Sequence, residues 1–288
     1  MRKSRKIRLE KLRKMMLANL SKPTKYKHPF HIVSNSPWPF VGAFSAFVTA
    51  VGFVMYCHNI VDGLVTFKTG LYSLIGLMFA WWRDVIREGT FEGKHTSYVQ
   101  NGLRFGMILF IVSEVMFFFS FFWAFFSSAL NPVYNIGGVW PPTGIEVISP
   151  WMLPLLNTAL LICSGVTVTL SHYSLLGAYK KLWAKSLLLT VSFGLLFTYY
   201  QYWEYSEAKF SISDGIYGSV FYMLTGFHGF HVIVGVIFLI ICGLRLYFLN
   251  DQSRQHHVGF EAAIWYWHFV DVVWIFLYLF LYWWGGKN

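Results

Sequence analysis

An ionisable side chain in the middle of a membrane-length apolar stretch is costly to place, and wherever one occurs it is a candidate for function. This chain has five. Glu114 lies in LRFGMILFIVSEVMFFFSFFWAFF (103–126), His228 and His231 in GFHGFHVIVG (226–235), and His268 and Asp271 in IWYWHFVDVVWIF (264–276). The histidine pair and the His268–Asp271 pair both have i, i+3 spacing, which puts each pair on one helical face. Counted from the charged ends of their stretches, Glu114, His231, His268 and Asp271 all lie roughly 17–21 Å deep at 1.5 Å per residue. Three chemistries are open to such a layer. The groups can hydrogen-bond one another and lock the helices together, as polar side chains do in membranes. His228 or His231 with His268 can supply both axial ligands of a haem. Or Glu114 can carry or sense a proton, as a hydrogen-bonded carboxyl kept neutral where its charge has no solvent. HExxH and other metal-protease spacings are absent from the sequence.

A second cluster is WWRDVIREGTFEGKHT, residues 81–96. Trp81 and Trp82 fit the aromatic belt at a membrane interface. Arg83 and Arg87 are one helical turn apart, with His95 and Arg104 near them in sequence. The plain reading is interfacial anchoring and positive charge on one side. The functional reading is a phosphate-binding pocket for a lipid headgroup, built from Arg, His and Trp. His256 and His257 precede the last apolar stretch and read as solvated or headgroup-contacting. GGVWPPTG (137–144) reads as a rigid Gly/Pro loop that shapes a contact with a partner.

The elements that must position these residues follow from composition. Of 288 residues, 56% are hydrophobic, 20% aromatic and 12% charged. Roughly 25% charge is usual for a soluble domain, so a soluble globule is excluded, and 29 Phe, 17 Tyr and 13 Trp exclude disorder. Seven stretches are long and apolar enough to span a bilayer: 38–59, 64–82, 100–129, 152–174, 184–205, 217–247 and 257–284. Their unbroken apolar runs predict an all-α membrane protein and leave no strand alternation for a barrel. With seven spans, 20 of the 23 Lys and Arg fall on the N-terminal side and only Lys68, Lys209 and Lys287 on the other. The positive-inside rule then places the N-terminus in the cytoplasm-like compartment.

Eleven of those basic residues lie within residues 1–27, in a tail that reads as a retained surface arm or, less well, as a transit peptide. Without the tail the chain is nearly neutral, so nucleic acid is a poor partner. Cys57, Cys163 and Cys242 lie far apart in apolar surroundings and make neither a disulfide framework nor a zinc motif. A free-standing transporter would be expected to show internal repeats or mid-depth helix breaks, and neither is apparent.

Several of these segments closely resemble the subunit III family of the mitochondrial and related bacterial haem–copper cytochrome c oxidases. They are SPWP (36–39), residues 81–96, GLRFGMILFIVSEVMFFFSFFWAFF (102–126), GGVWPPTGI (137–145), PLLNTALLICSG (154–165), EYSEA (204–208), SISDGIYGS (211–219), GFHGFHVIVG and HHVGFEAAIWYWHFVDVVWIFLY (256–278). The likeness runs in order from near His31 to Gly286. It implies seven transmembrane helices, the first two separated from the other five by a lipid-filled V-shaped cleft. The parts would be a basic arm (1–37), helices one and two (38–82), a matrix loop (83–99) and helices three to seven (100–286).

The resemblance also implies a non-catalytic core subunit of respiratory complex IV. Haem a, haem a3 and copper would sit in partner subunits, with the catalytic subunit I beside this chain, and this chain would hold no metal or cofactor of its own. It would support proton uptake and turnover stability and bind structural phospholipid. The family's carbodiimide-reactive glutamate maps onto Glu114. Headgroup contacts map onto Trp82, Arg87, His95 and Arg245, with Arg83 adjacent. This argues against the bis-histidine haem. The implied location is the mitochondrial inner membrane with the N-terminus in the matrix, the alternative being a bacterial plasma membrane. The chain departs from the pattern in its basic arm, in Tyr173 where a second histidine is usual and in Lys209 where a proline is usual. What the arm binds, a supercomplex partner included, is left open.

Overall fold

The computed structural model describes residues 28–248 and 257–286, so residues 1–27 of the basic arm, with all eleven of its Lys and Arg, lie outside the described residues. Seven helices long and apolar enough to cross a membrane follow one another. They are α1 (Trp38–Cys57), α2 (Gly63–Thr90), α3 (Ser97–Leu130), α4 (Leu153–Leu176), α5 (Lys180–Glu207), α6 (Gly215–Phe248) and α7 (Val258–Phe276). α7 continues into a π-wound segment, Leu277–Trp284, and no strand occurs among the described residues. The chain is therefore an all-α, multi-pass membrane protein. Proline stands in the first turn of α1 and of α4, where its missing N–H costs nothing. α3 and α6 have 34 residues each. At 1.5 Å per residue that is about 51 Å, beyond the ~30 Å hydrocarbon core, so both must tilt or project.

α2 runs to Thr90, past the end of the apolar stretch at position 82. The apolar pattern marks what the bilayer covers, whereas RDVIRE is made mostly of acceptable helix formers and continues the winding into the interface.

The chain divides into two compact units, residues 1–102 and 103–288. In the first, α1 and α2 form an antiparallel hairpin whose backbones touch. A Cβ on Gly52 would run into the Phe67 backbone nitrogen, and one on Gly70 would lie 2.5 Å from the Thr49 nitrogen. Small residues permit this approach, and no hydrophobic force is needed for it in lipid. At the end of the hairpin that carries the basic cluster, the Trp38 indole N–H donates to Asp84 at 2.7 Å.

The second unit is packed around α7. Trp267 and Trp274 have no exposed surface. Their indole N–H groups donate to Ser164 Oγ at 2.8 Å and to Thr158 Oγ1 at 2.9 Å, both on α4. Gly194 on α5 and Gly235 on α6 make room for the Trp267 ring, which a Cβ at either position would meet at under 3 Å. α3 reaches this core through rings. Phe117 packs edge-on against Phe227 with centroids 4.9 Å apart, and Phe125 against Trp140 at 5.7 Å. Trp140 also lies 5.4 Å from Tyr217, so the Gly/Pro loop is seated on its own unit.

Candidate functional site

Glu114 and His231 stand at the centres of α3 and α6, and the structure joins them. His231 Nε2 lies 2.9 Å from Glu114 Oε2. The other ring nitrogen, Nδ1, lies 2.6 Å from the Phe227 carbonyl oxygen one turn back. A carbonyl can only accept, so Nδ1 carries a proton. The Nε2–Oε2 contact then holds one further proton, on the carboxyl or on the ring. Either way the pair has no net charge, and this is how two ionisable groups coexist at membrane depth. Rings enclose it: Phe118 stands edge-on at 5.1 Å and Tyr266 is stacked at 6.2 Å from the imidazole.

The other three mid-membrane residues do not join this pair. His228 is buried, with Nε2 3.2 Å from the Val270 carbonyl oxygen. His268 turns towards α4, with Nε2 3.3 Å from Thr169 Oγ1 and Nδ1 3.6 Å from Asp271 Oδ2. Asp271 lies over Gly165, where a Cβ would come within 2.8 Å of its carboxylate. The layer read from depth alone is thus two separate polar contacts and one histidine bonded to backbone.

The basic cluster is placed in the first unit at the end of α2. Trp82, Arg83 and Arg87 are exposed. Arg83 pairs with Asp84 at 2.8 Å and Arg87 with Glu92 at 3.3 Å. Each guanidinium has five N–H donors, so these pairs use only part of its capacity. The Lys94 ammonium, hydrogen-bonded to Glu92, holds that carboxyl below the usual range against the smaller opposing effect of burial. The His95 ring lies against the helix at Gly89, where a Cβ would meet its Nδ1 at 2.6 Å. It is 5.7 Å from the His31 ring, which itself lies 3.7 Å from Glu88. Arg245 belongs to the second unit, where a Cβ on Gly259 would come within 3.1 Å of its Nη1.

Two groups depart from the sequence reading. His257, expected to be solvated, is buried, with Nε2 3.0 Å from Glu261. Arg104, grouped by sequence with the basic cluster, instead pairs with Glu261 at 2.7 Å. The reason is common to both: the start of α7 turns its first-turn carboxylate inward, where the Arg104 guanidinium and the His257 imidazole gather around it. Glu204 was not singled out at all. It is 2% exposed and accepts hydrogen bonds from Tyr282 at 2.6 Å and Gln201 at 3.1 Å. Its i, i+3 spacing from Gln201 on an apolar helix was the available signal.

A family profile described as Cytochrome c oxidase subunit III matches residues 28–286. Among curated proteins, "Cytochrome c oxidase subunit 3" of Pylaiella littoralis is 59% identical over 259 residues, which is 90% of this chain and 95% of that protein. The proteins of the same name from Chondrus crispus and Triticum aestivum are each 56% identical, over 94% and 90% of this chain and 99% and 98% of their own lengths. With the profile covering most of the chain and these relatives matched almost end to end, this chain belongs to the cytochrome c oxidase subunit III family.

Proposed function

We propose that this chain is the non-catalytic core subunit III of a mitochondrial complex IV, assembled beside the catalytic subunit I, and that it supports proton uptake and endurance during turnover. The observation that carries this reading is the Glu114–His231 contact of 2.9 Å, with the second imidazole nitrogen engaged by Phe227. Both nitrogens of His231 are committed, so it is not an open metal ligand. The pair holds one proton between two groups without net charge, a device suited to buffering or relaying a proton and unsuited to electron transfer. Haem a, haem a3 and copper belong to the partner subunits. Removing this chain from the purified oxidase is the test: haem and copper content and the initial rate of oxygen reduction should persist, while the number of turnovers before inactivation should fall.

The basic cluster is the second part of the proposal. Arg87 and His95, with Arg83 and Trp82, bind phospholipid phosphate at the membrane edge of the first unit, and Arg245 offers a further guanidinium for a headgroup on the second. Exposed guanidinium groups with donors to spare support it. The charge asymmetry of the spans supports a location in the mitochondrial inner membrane with the N-terminus in the matrix. Protease added outside intact mitoplasts should leave residues 1–37 uncut.

A further inference from the structure

At the end of the second unit, three side chains from distant parts of the sequence converge. His172 lies in the last turns of α4, His257 caps the start of α7 and Glu261 follows one turn later. The two imidazoles face each other with Nε2 atoms 3.4 Å apart, and His257 Nε2 is 3.0 Å from Glu261 Oε1. All three candidate ligand atoms lie within 4.8 Å of one another. As a hydrogen bond, the histidine–histidine contact is poor, because 3.4 Å exceeds the usual ~3.2 Å limit for N–H donors. As an edge of a metal's coordination shell it fits. Zn–N bonds of about 2.0–2.1 Å in a tetrahedron put neighbouring ligands about 3.3–3.4 Å apart.

The surroundings are those of a ligand set. Arg104 Nε donates to Glu261 Oε2 at 2.7 Å and its Nη2 reaches Oε1 more weakly at 3.4 Å, which fixes the carboxylate plane, while Oε1 lies nearer to His257, at 3.0 Å. A partner of this kind outside the ligand shell commonly orients a metal-binding carboxylate. The Phe260 ring stands edge-on to His172 at 6.2 Å. Two imidazoles and one carboxylate is a set that zinc accepts and that hard cations such as Mg2+ do not favour. The fixed positive charge of Arg104 beside the ion opposes tight retention, so the site is exchangeable.

We infer that His172, His257 and Glu261 form an exchangeable binding site for a divalent, borderline-soft cation, zinc above all, that clasps the end of α4 to the start of α7. The test uses the assembled oxidase containing this chain, freed of loose metal with a chelator and then exposed to micromolar zinc sulfate. Anomalous difference maps at the zinc absorption edge should place a peak between the three ligand atoms. His172→Gln should remove that peak and one equivalent of bound zinc, with the haem spectrum unchanged. His172 makes no ion pair with Arg104, so this variant avoids the folding risk of Glu261→Gln. Absence of a peak at the wild-type site, or the same zinc equivalents in the variant, would overturn the inference.

Discussion

Gly52 in the α1–α2 hairpin and Trp267 in the α3–α7 bundle represent two ways of joining apolar helices. In the hairpin the contact is made by what is missing: side chains are absent at Gly52, Gly63 and Gly70, and backbone meets backbone. In the bundle the same office is filled by large rings, Trp267 and Trp274, each tied by a hydrogen bond to a hydroxyl, with Trp267 let in by Gly194 and Gly235. The consequence is visible in burial. The most apolar windows of α1 and α2 are 11% and 17% buried, against 28% for α4, 39% for α5 and α6 and 56% for α7, while the α3 window is 6% buried. The two helices of the hairpin bury little of their apolar surface, as contacts between small residues allow. Helices α4 to α7 turn inward, and the bundle carries the mid-membrane polar contacts.

If this contrast is right, the bundle should be the more sensitive to losing bulk. Trp267→Ala removes a fully buried ring and its hydrogen bond to Ser164. It should cost about 3–5 kcal/mol, read as a fall in the thermal stability of the purified complex. Trp82→Ala, at an exposed site on α2, should stay within about 0.5 kcal/mol. Equal effects would erase the distinction.

The hairpin should instead be sensitive to gaining bulk. Gly52→Leu forces a side chain into the Phe67 backbone, which cannot move aside as a rotamer can. The cost should reach the upper end of the ~1–3 kcal/mol range for overpacking, seen as poor accumulation of the chain in assembled oxidase. Gly76→Ala, where nothing lies within 4 Å, is the matched control and should accumulate normally. Normal accumulation of Gly52→Leu would remove the backbone-contact account.

A smaller effect sharpens the comparison at the membrane edge. Arg87→Ala leaves both packing schemes untouched, since its side chain is 71% exposed and meets Glu92 alone among acidic groups. It should lower the phospholipid phosphorus that co-purifies with the oxidase, with no change in thermal stability beyond about 0.5 kcal/mol. Unchanged phosphorus would count against a headgroup role for this cluster.

Much of this architecture was legible in the residues. Apolar length located all seven helices, because a bilayer sets a length that sequence can be measured against. Depth counting put Glu114 and His231 at one level, since rise per residue is nearly constant along a helix. Which partner each polar group takes was not legible. His268 and His231 share a depth, but the rotation of each helix decides that one faces Thr169 and the other Glu114. The approach of His172 to His257 spans 85 positions and follows no periodicity. The Glu204–Tyr282 contact depends on the register of α5 against a π-wound segment, and no local pattern announces that winding.

The central claim, that the mid-membrane pair supports the oxidase without performing its chemistry, is tested most directly by Glu114→Gln. An amide preserves a hydrogen-bond donor for His231 Nε2 and removes the acid. Oxygen consumption should be followed from the first turnovers to inactivation, on complex whose haem spectrum has been recorded. The account predicts a normal spectrum and a nearly normal initial rate, followed by weaker proton-uptake efficiency or earlier inactivation than wild type. Abolished oxygen reduction from the first turnover, in a fully assembled and spectrally normal complex, would contradict it.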